Sequence, residues 1–164
     1  MEWRGTIKYD DNFLNENESM KVLDYCHNCP YTYGEIDDDN LPPTGMISEI
    51  ERGNEIYHLF EKRLNDKSAF LQNMTLYRMY INCFVPNENP YFHVDGEGIT
   101  FLYYASEYWD LNDGGETQFY LDGNILGVPP VPNRLVMFDG MIQHRATSFR
   151  TRHRFTVAIK YVPQ

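Results

Sequence analysis

His93 and Asp95 stand two residues apart in the segment PYFHVDGEG at 90–98. Residues i and i+2 of a strand project to the same face, so this imidazole and this carboxylate could reach one cation. A third ligand must come from elsewhere. His144, which follows the apolar run at 135–138, is the best candidate. Two imidazoles and one carboxylate are the ligand set that holds non-heme iron(II) with three coordination sites open.

The elements that must position these side chains are mostly strands. After Phe70 the hydrophobic period changes from 3.6 to 2. Five runs rich in β-branched and aromatic residues follow, separated by turn signals that contain Asn, Asp, Gly and Pro: MTLYRMYINCF, ITFLYYASEY, ETQFYLD, RLVMFDG and RFTVAIKYV. The five runs predict a largely antiparallel β structure around the candidate site.

Helical patterns precede these strands. A short strand at 6–9 leads to a helix that Asn15 or Asn17 caps and that ends near Cys26, with Met20, Val22 and Leu23 on its buried face. A loop follows at 30–45, either a mobile lid or a plain solvated loop. A second helix is then predicted at 47–64, and we expect its His58 to be a surface or packing residue and not a ligand. Two helices followed by strands predict an α+β fold, in which helices brace one face of a two-sheet jelly roll.

The last strand has two distinct faces. Alternation places Phe155, Val157, Ile159 and Tyr161 on one face, and Arg154, Thr156, Ala158 and Lys160 on the other. Arg154 would therefore point into the interior of the two sheets or its mouth. A buried guanidinium requires an anionic partner.

Length and composition exclude several classes of protein. The chain has 164 residues, a net charge of −10 and no apolar run long enough to span a bilayer, so we expect one soluble, cytoplasmic domain at 1–164 with no membrane partner. The negative charge disfavours nucleic acid as a partner. Cys26 and Cys29 form a C-x-x-C without a second ligand pair, so we interpret them as ordinary thiols. Oligomeric state stays open.

From about 76 to 161 the chain resembles the Fe(II)/2-oxoglutarate-dependent dioxygenases, in particular their prolyl-4-hydroxylase-like branch. The matching elements are HVD at 93–95, TFLYYASEYWDLNDGGETQFY at 100–120, His144, and Arg154 ten residues later. The resemblance implies a double-stranded β-helix with supporting N-terminal helices. It also implies Fe(II), 2-oxoglutarate and O2 as cofactors, with Arg154 holding the C5 carboxylate of 2-oxoglutarate.

The resemblance implies further contacts with 2-oxoglutarate. Tyr104 matches the second tyrosine of a Tyr-Tyr pair, Thr117 ends the G-G-E-T signature, and Thr156 follows Arg154 as in the R-x-S/T arrangement of some branches. Asn82 is similar to an asparagine of the related demethylases. Many prolyl hydroxylases have a tyrosine near position 83 or 84, where this chain has cysteine and phenylalanine; Tyr80 is the candidate to replace it.

The activity that the resemblance implies is hydroxylation of a C–H bond with release of succinate and CO2. The related halogenases have a small residue in place of the carboxylate, so Asp95 indicates hydroxylation. A peptidyl proline is the first candidate substrate, and a free amino acid or other small metabolite is the second. Nucleic-acid demethylation and a non-catalytic jelly-roll binding module are weaker alternatives, the latter because the three ligands and Arg154 are all present.

Overall fold

In the computed structural model, which describes residues 7–36 and 39–164, an asparagine begins each of the two helices. The first helix, α1 (Glu16–Asn28), has a capping box: the Asn15 side chain accepts a hydrogen bond from the Glu18 N–H, and the Glu18 carboxylate accepts one from the Asn15 N–H. The second, α2 (Glu55–Lys67), begins after Asn54, whose side chain accepts from the Ile56 N–H at 2.8 Å. A 3₁₀ turn at Ala69–Asn73 follows α2.

The buried faces of the helices differ in part from the prediction. Val22 and Cys26 are the buried residues of α1, whereas Met20 is 62% exposed, so its predicted burial is wrong. Leu23 is partly buried against the same core. In α2 the buried residues are Ile56, Tyr57, Phe60 and Leu64, and His58 is exposed.

Ten strands are found within the described residues. They are β1 (Lys8–Asp10), β2 (Thr32–Tyr33), β3 (Met46–Glu49), β4 (Met74–Phe84), β5 (Ile99–Ala105), β6 (Thr117–Leu121), β7 (Asn124–Val128), β8 (Leu135–Asp139), β9 (His144–Ala146) and β10 (Arg154–Pro163). Each of the five runs contains a strand. β7 and β9 were not predicted, and Thr6, the first residue of the predicted strand at 6–9, lies outside the described residues.

The predicted start of the second helix at Ile47 is wrong. Residues Met46–Glu49 form β3, which pairs with β4 so that Ile47 lies opposite Asn82. The helical spacing of the apolar residues before Asn54 is overridden because pairing with a long neighbouring strand satisfies the backbone of β3. On its other side β3 pairs with β2, a short strand within the predicted loop at 30–45 that forms the edge of the sheet.

The strands form two sheets, and every pairing is antiparallel. The large sheet has the order β1-β8-β5-β10-β4-β3-β2, and the small sheet has the order β7-β6-β9. One core lies between the large sheet and the helices, and contains Val157, Ile159 and Tyr161 of β10. A second core contains residues of both sheets, among them Ala158 of β10 and Phe119 of β6. The predicted two faces of the last strand are therefore confirmed.

The helices cover one face of the large sheet, and the small sheet lies against the other. Arg154 and Thr156 point into this second layer, between the two sheets. Neither of the described helices is long and apolar enough to cross a membrane. The three cysteines carry free thiols.

Candidate metal centre

His93 and His144 are brought together by their own backbones. The His93 N–H donates to the His144 carbonyl and the His144 N–H donates to the His93 carbonyl, both at 3.0 Å. His144 in turn lies opposite Phe119 of β6, so His93 extends the small sheet by one pair. Directly paired residues of antiparallel strands put their side chains on the same face. The two imidazole rings consequently lie with their centres 4.5 Å apart.

Asp95 is held beside them by the end of β8. Its N–H donates to the carbonyl of Gly140 at 2.8 Å. Any side chain at position 140 would collide with the carbonyl oxygen of Gly96, so glycine is required for this close approach. The Asp95 carboxylate lies 3.8 Å from His93 Nε2 through Oδ1 and 3.5 Å from His144 Nε2 through Oδ2.

The three side chains form a cluster that could hold a metal ion. One ligand atom from each of His93, Asp95 and His144 lies within 4.8 Å of the others. The sequence predicted all three members. His93 and Asp95 come from an extended segment at 93–95, and His144 comes from β9. The tertiary structure supplies the pairing that brings His144 to the other two.

Both imidazoles are oriented by backbone carbonyls. His93 Nδ1 lies 3.1 Å from the Tyr91 carbonyl oxygen, and His144 Nδ1 lies 2.8 Å from that of Ile142. When Nδ1–H donates a hydrogen bond to a carbonyl, the lone pair of the neutral ring lies on Nε2, the nitrogen that can ligate a metal. Burial lowers the pKa of His144 to about 4, so this imidazole is neutral at pH 7. Its ring packs on Phe138, with the ring centres 4.6 Å apart.

Asp95 has two polar neighbours that the sequence analysis did not assign to the site. Thr100 donates from Oγ1 to Oδ2 at 2.6 Å, and Lys160 Nζ lies 2.7 Å from Oδ1. Burial by itself would raise the pKa of the Asp95 carboxyl, but the interactions with His144 and Lys160 and the hydrogen bond from Thr100 lower it overall. The alternation of β10 did place Lys160 on this face, which was the available signal.

Arg154 is fully buried and lines the same cavity as His93, Asp95 and His144. Its Nε donates to the carbonyl of Gly115 at 2.7 Å, and its Nη2 donates to Thr117 Oγ1 at 2.9 Å. The Tyr104 hydroxyl donates to the same Thr117 oxygen at 2.7 Å. Among residues 7–36 and 39–164, no carboxylate forms an ion pair with Arg154. Burial accordingly lowers the pKa of this guanidinium.

Three further predicted residues line the cavity between these groups. Thr156 and Asn82 lie opposite each other on β10 and β4, and both line the cavity. Tyr80 also lines it, and Lys160 Nζ lies 5.4 Å from the centre of the Tyr80 ring. Phe84, not Tyr80, is the residue of β4 opposite Arg154. The contact of Tyr80 with 2-oxoglutarate stays a prediction.

The chemistry of the donors fits a divalent cation with a small anionic co-substrate. Two imidazoles and an ionised carboxylate suit iron(II). A buried guanidinium without a described carboxylate partner suits an anion that arrives from solution. Because both sets line one cavity, a single anion could reach the cation and the guanidinium together.

Comparison with known proteins identifies the class to which this fold and this cavity belong. Residues 79–161 match the sequence model of the 2OG-Fe(II) oxygenase superfamily, and the chain belongs to this family. It is therefore an oxidoreductase of a family that uses iron and 2-oxoglutarate. No curated protein sequence matches the chain significantly.

Solved structures share the fold at low sequence identity. A prolyl-4-hydroxylase from Pseudomonas putida is 18% identical with a TM-score of 0.79, and the match covers 96% of this chain and 92% of that one. A prolyl hydroxylase from Trichoplax adhaerens, in complex with a hypoxia-inducible-factor peptide, is 19% identical with a TM-score of 0.78 and coverages of 97% and 84%. The epimerase SnoN of nogalamycin biosynthesis is 12% identical, with a TM-score of 0.72 and coverages of 98% and 78%.

These matches establish the fold class that was predicted, a double-stranded β-helix with two supporting helices. Identities of this size show the fold and do not transfer a substrate. That residues 1–164 form one domain, and that the protein is cytoplasmic, stay predictions.

Proposed function

We propose that this chain is an Fe(II)- and 2-oxoglutarate-dependent dioxygenase that hydroxylates a C–H bond of its substrate and releases succinate and CO2. The observation that carries the proposal is one cavity with two complementary features. A cluster of two imidazoles and a carboxylate lies in it together with a buried guanidinium that has no described carboxylate partner. The family supports iron and 2-oxoglutarate as cofactors.

The metal ligands in this proposal are His93, Asp95 and His144. When bound, iron(II) supplies the activation of O2 that couples decarboxylation of 2-oxoglutarate to substrate oxidation. The contribution of the protein is to keep both Nε2 atoms unprotonated and the carboxylate ionised. The carbonyls of Tyr91 and Ile142 support the first requirement, and the pKa lowering of Asp95 supports the second.

The co-substrate site in this proposal centres on Arg154. Its guanidinium would bind the C5 carboxylate of 2-oxoglutarate, since a planar fork matches the two oxygens of a carboxylate. Thr117 and Tyr104 form a hydrogen-bonded chain with Arg154, so they would fix its position and offer hydroxyls to the same carboxylate. Thr156 and Asn82 would line the co-substrate between this carboxylate and the metal.

The first candidate substrate is a peptidyl proline. Two structures that match the fold over at least 96% of the chain are prolyl hydroxylases, and one of them holds a peptide. The second candidate is a free amino acid or another small metabolite. The likeness to SnoN, an epimerase of nogalamycin biosynthesis, supports a small molecule, because a metabolite enzyme also shares this fold.

An assay of succinate release tests the function and the substrate class together. The iron-loaded protein is incubated with 2-oxoglutarate and a panel of proline-containing peptides, free amino acids and methylated oligonucleotides. We expect the strongest response with the peptides. A dominant response to free amino acids would select the second candidate, and one to oligonucleotides would contradict both. The variant His144→Ala is the control, since it should release no succinate with any member of the panel.

A further inference from the structure

Lys160 is the charged neighbour of the proposed metal ligand Asp95. Its Nζ lies 2.7 Å from Asp95 Oδ1, and its side chain is 17% exposed. Nζ also lies 5.4 Å from the centre of the Tyr80 ring. Lys160 is the sixth residue after Arg154, so the alternation of β10 directs both cations to the same layer.

The two oxygens of the Asp95 carboxylate have different partners. Oδ2 accepts a hydrogen bond from the neutral hydroxyl of Thr100 at 2.6 Å, whereas Oδ1 faces the ammonium of Lys160. Both partners restrain the carboxylate, but only Lys160 brings a positive charge. A divalent cation at the cluster must share this carboxylate with that charge.

We propose that Lys160 is a built-in counter-cation of Asp95, which neutralises this buried carboxylate when no metal is bound and weakens the binding of a divalent metal to the cluster. This inference rests on the proposed function, because it takes the cluster of His93, Asp95 and His144 as a metal site. Its physical basis is the cost of burying an unpaired carboxylate, together with the repulsion between two cations in a medium of low dielectric constant.

Removal of the Lys160 ammonium should change the stability of the metal-free protein and its affinity for metal in opposite directions. Without the ammonium, Asp95 is a buried carboxylate that has lost its charged partner, so the metal-free protein becomes less stable. The same loss removes the cation that competes for Oδ1, so a divalent metal binds more tightly. A side chain with a merely structural role would, on removal, lower both the stability and the affinity.

The main variant is Lys160→Gln, which keeps a hydrogen-bond donor and removes the charge. Mn(II) binding to the metal-stripped wild type and variant is measured by titration calorimetry, and thermal unfolding is followed with and without Mn(II). We expect the variant to unfold at a lower temperature without metal and to bind Mn(II) about tenfold more tightly or better. The stabilisation by Mn(II) should therefore be larger in the variant than in the wild type.

Three further variants separate charge from orientation and general damage. Lys160→Arg keeps the charge and should bind Mn(II) much as the wild type does. Thr100→Val removes the neutral donor and should not tighten Mn(II) binding. Lys21→Met removes an exposed lysine that pairs with Glu55 far along the chain, and should leave Mn(II) affinity unchanged. Lys160→Met provides a second uncharged side chain if the glutamine variant does not fold.

Mn(II) binding to the uncharged variants that is equal to or weaker than that of the wild type would overturn the inference. The variant His144→Ala distinguishes this outcome from a failure of the proposed function. If His144→Ala binds Mn(II) as well as the wild type does, the cluster is not the metal site and the proposed function loses its basis. If His144→Ala loses Mn(II) while Lys160→Gln shows no gain, only the role of Lys160 is wrong.

Discussion

Arg154 and Thr117 share a hydrogen bond of 2.9 Å across the interior between the two sheets. Arg154 heads β10 in the middle of the large sheet, and Thr117 begins β6 in the middle of the small one. Both side chains are about 99% buried, and Tyr104 of β5 donates to the same threonine hydroxyl. The guanidinium is therefore held by neutral partners, the Gly115 carbonyl and the Thr117 hydroxyl, which leaves its positive charge available to an anion.

The first prediction concerns this guanidinium. Loss of one partner of a buried charge pair costs about 3–5 kcal/mol, so Arg154→Ala should weaken 2-oxoglutarate binding by on the order of 10² or more. Arg154→Lys should lie between the alanine variant and the wild type, because an ammonium cannot form two parallel hydrogen bonds. The measurement is an anaerobic titration of the iron-loaded protein, followed by the charge-transfer absorption of the complex.

A second buried arginine provides the control for that titration. Arg134 forms an ion pair with Asp11, with Nε 2.6 Å from Oδ1, and does not line the cavity. Arg134→Ala should lower the stability of the protein and leave the affinity for 2-oxoglutarate unchanged. Equal binding curves for Arg154→Ala and the wild type would remove Arg154 from the co-substrate site.

The second prediction uses two adjacent tyrosines on opposite faces of β5. The Tyr104 hydroxyl donates to Thr117 in the cavity layer, whereas the Tyr103 hydroxyl donates to Asn133 Oδ1 at 3.1 Å and its ring packs in the helix-side core. Removal of a buried hydrogen bond costs about 1 kcal/mol, so Tyr104→Phe should weaken 2-oxoglutarate binding about fivefold. Tyr103→Phe should lower the free energy of unfolding by about 1 kcal/mol without changing the affinity for 2-oxoglutarate. The same loss of affinity in both variants would contradict a specific role for Tyr104.

The third prediction concerns the metal. His144→Ala removes one of three proposed ligands and should abolish iron(II) binding and succinate release, while far-UV circular dichroism stays that of a folded protein. His58→Ala is the matched control, since His58 is exposed on α2 and should keep full metal content and turnover. Full activity and metal content in His144→Ala would show that the ligand assignment is wrong.

The fourth prediction is a pH dependence of stability in the metal-stripped protein. The pKa of His144 is lowered by burial from an ordinary value of 6.5 to about 4. Between these two values the unfolded chain binds a proton that the folded protein does not bind, so stability should fall as the pH drops from about 6.5 to 4. The full loss is on the order of 3 kcal/mol at ~1.4 kcal/mol per pH unit.

Urea unfolding at several pH values measures this loss. The comparison is with His144→Asn, which lacks the titrating group. The free energy of unfolding of the wild type should therefore fall relative to that of the variant as the pH drops through this window. A constant difference from pH 7 to pH 4 would show that His144 is not held neutral by burial.

The fifth prediction concerns the product. Because Asp95 fills the position that a halide needs in the related halogenases, we expect the product to gain one oxygen atom, and this atom should come from O2. Mass spectrometry after reaction under ¹⁸O2 measures the origin of the oxygen. A chlorinated product from the unmodified protein in chloride buffer would contradict hydroxylation.

Much of the fold could be predicted from the sequence because local rules govern it. Strand alternation separated the two faces of β10, and the capping preference of asparagine marked the start of α1. The same rules failed where pairing with a distant strand decided the outcome. The segment with helical spacing at 46–49 forms strand β3 because it pairs with β4, and β9 is a strand because it pairs with β6.

The sequence by itself determined which side chains have the chemistry of this cavity. The spacing of His93 and Asp95, the later His144 and the arginine ten residues beyond it can all be found without coordinates. Only the tertiary structure decided which of them meet and what surrounds them. The reciprocal backbone hydrogen bonds of His93 and His144 and the contact of Lys160 with Asp95 join residues that are distant in the chain. Local preferences do not encode such contacts, because the order of strands in a sheet is decided by how both faces of every strand are buried together.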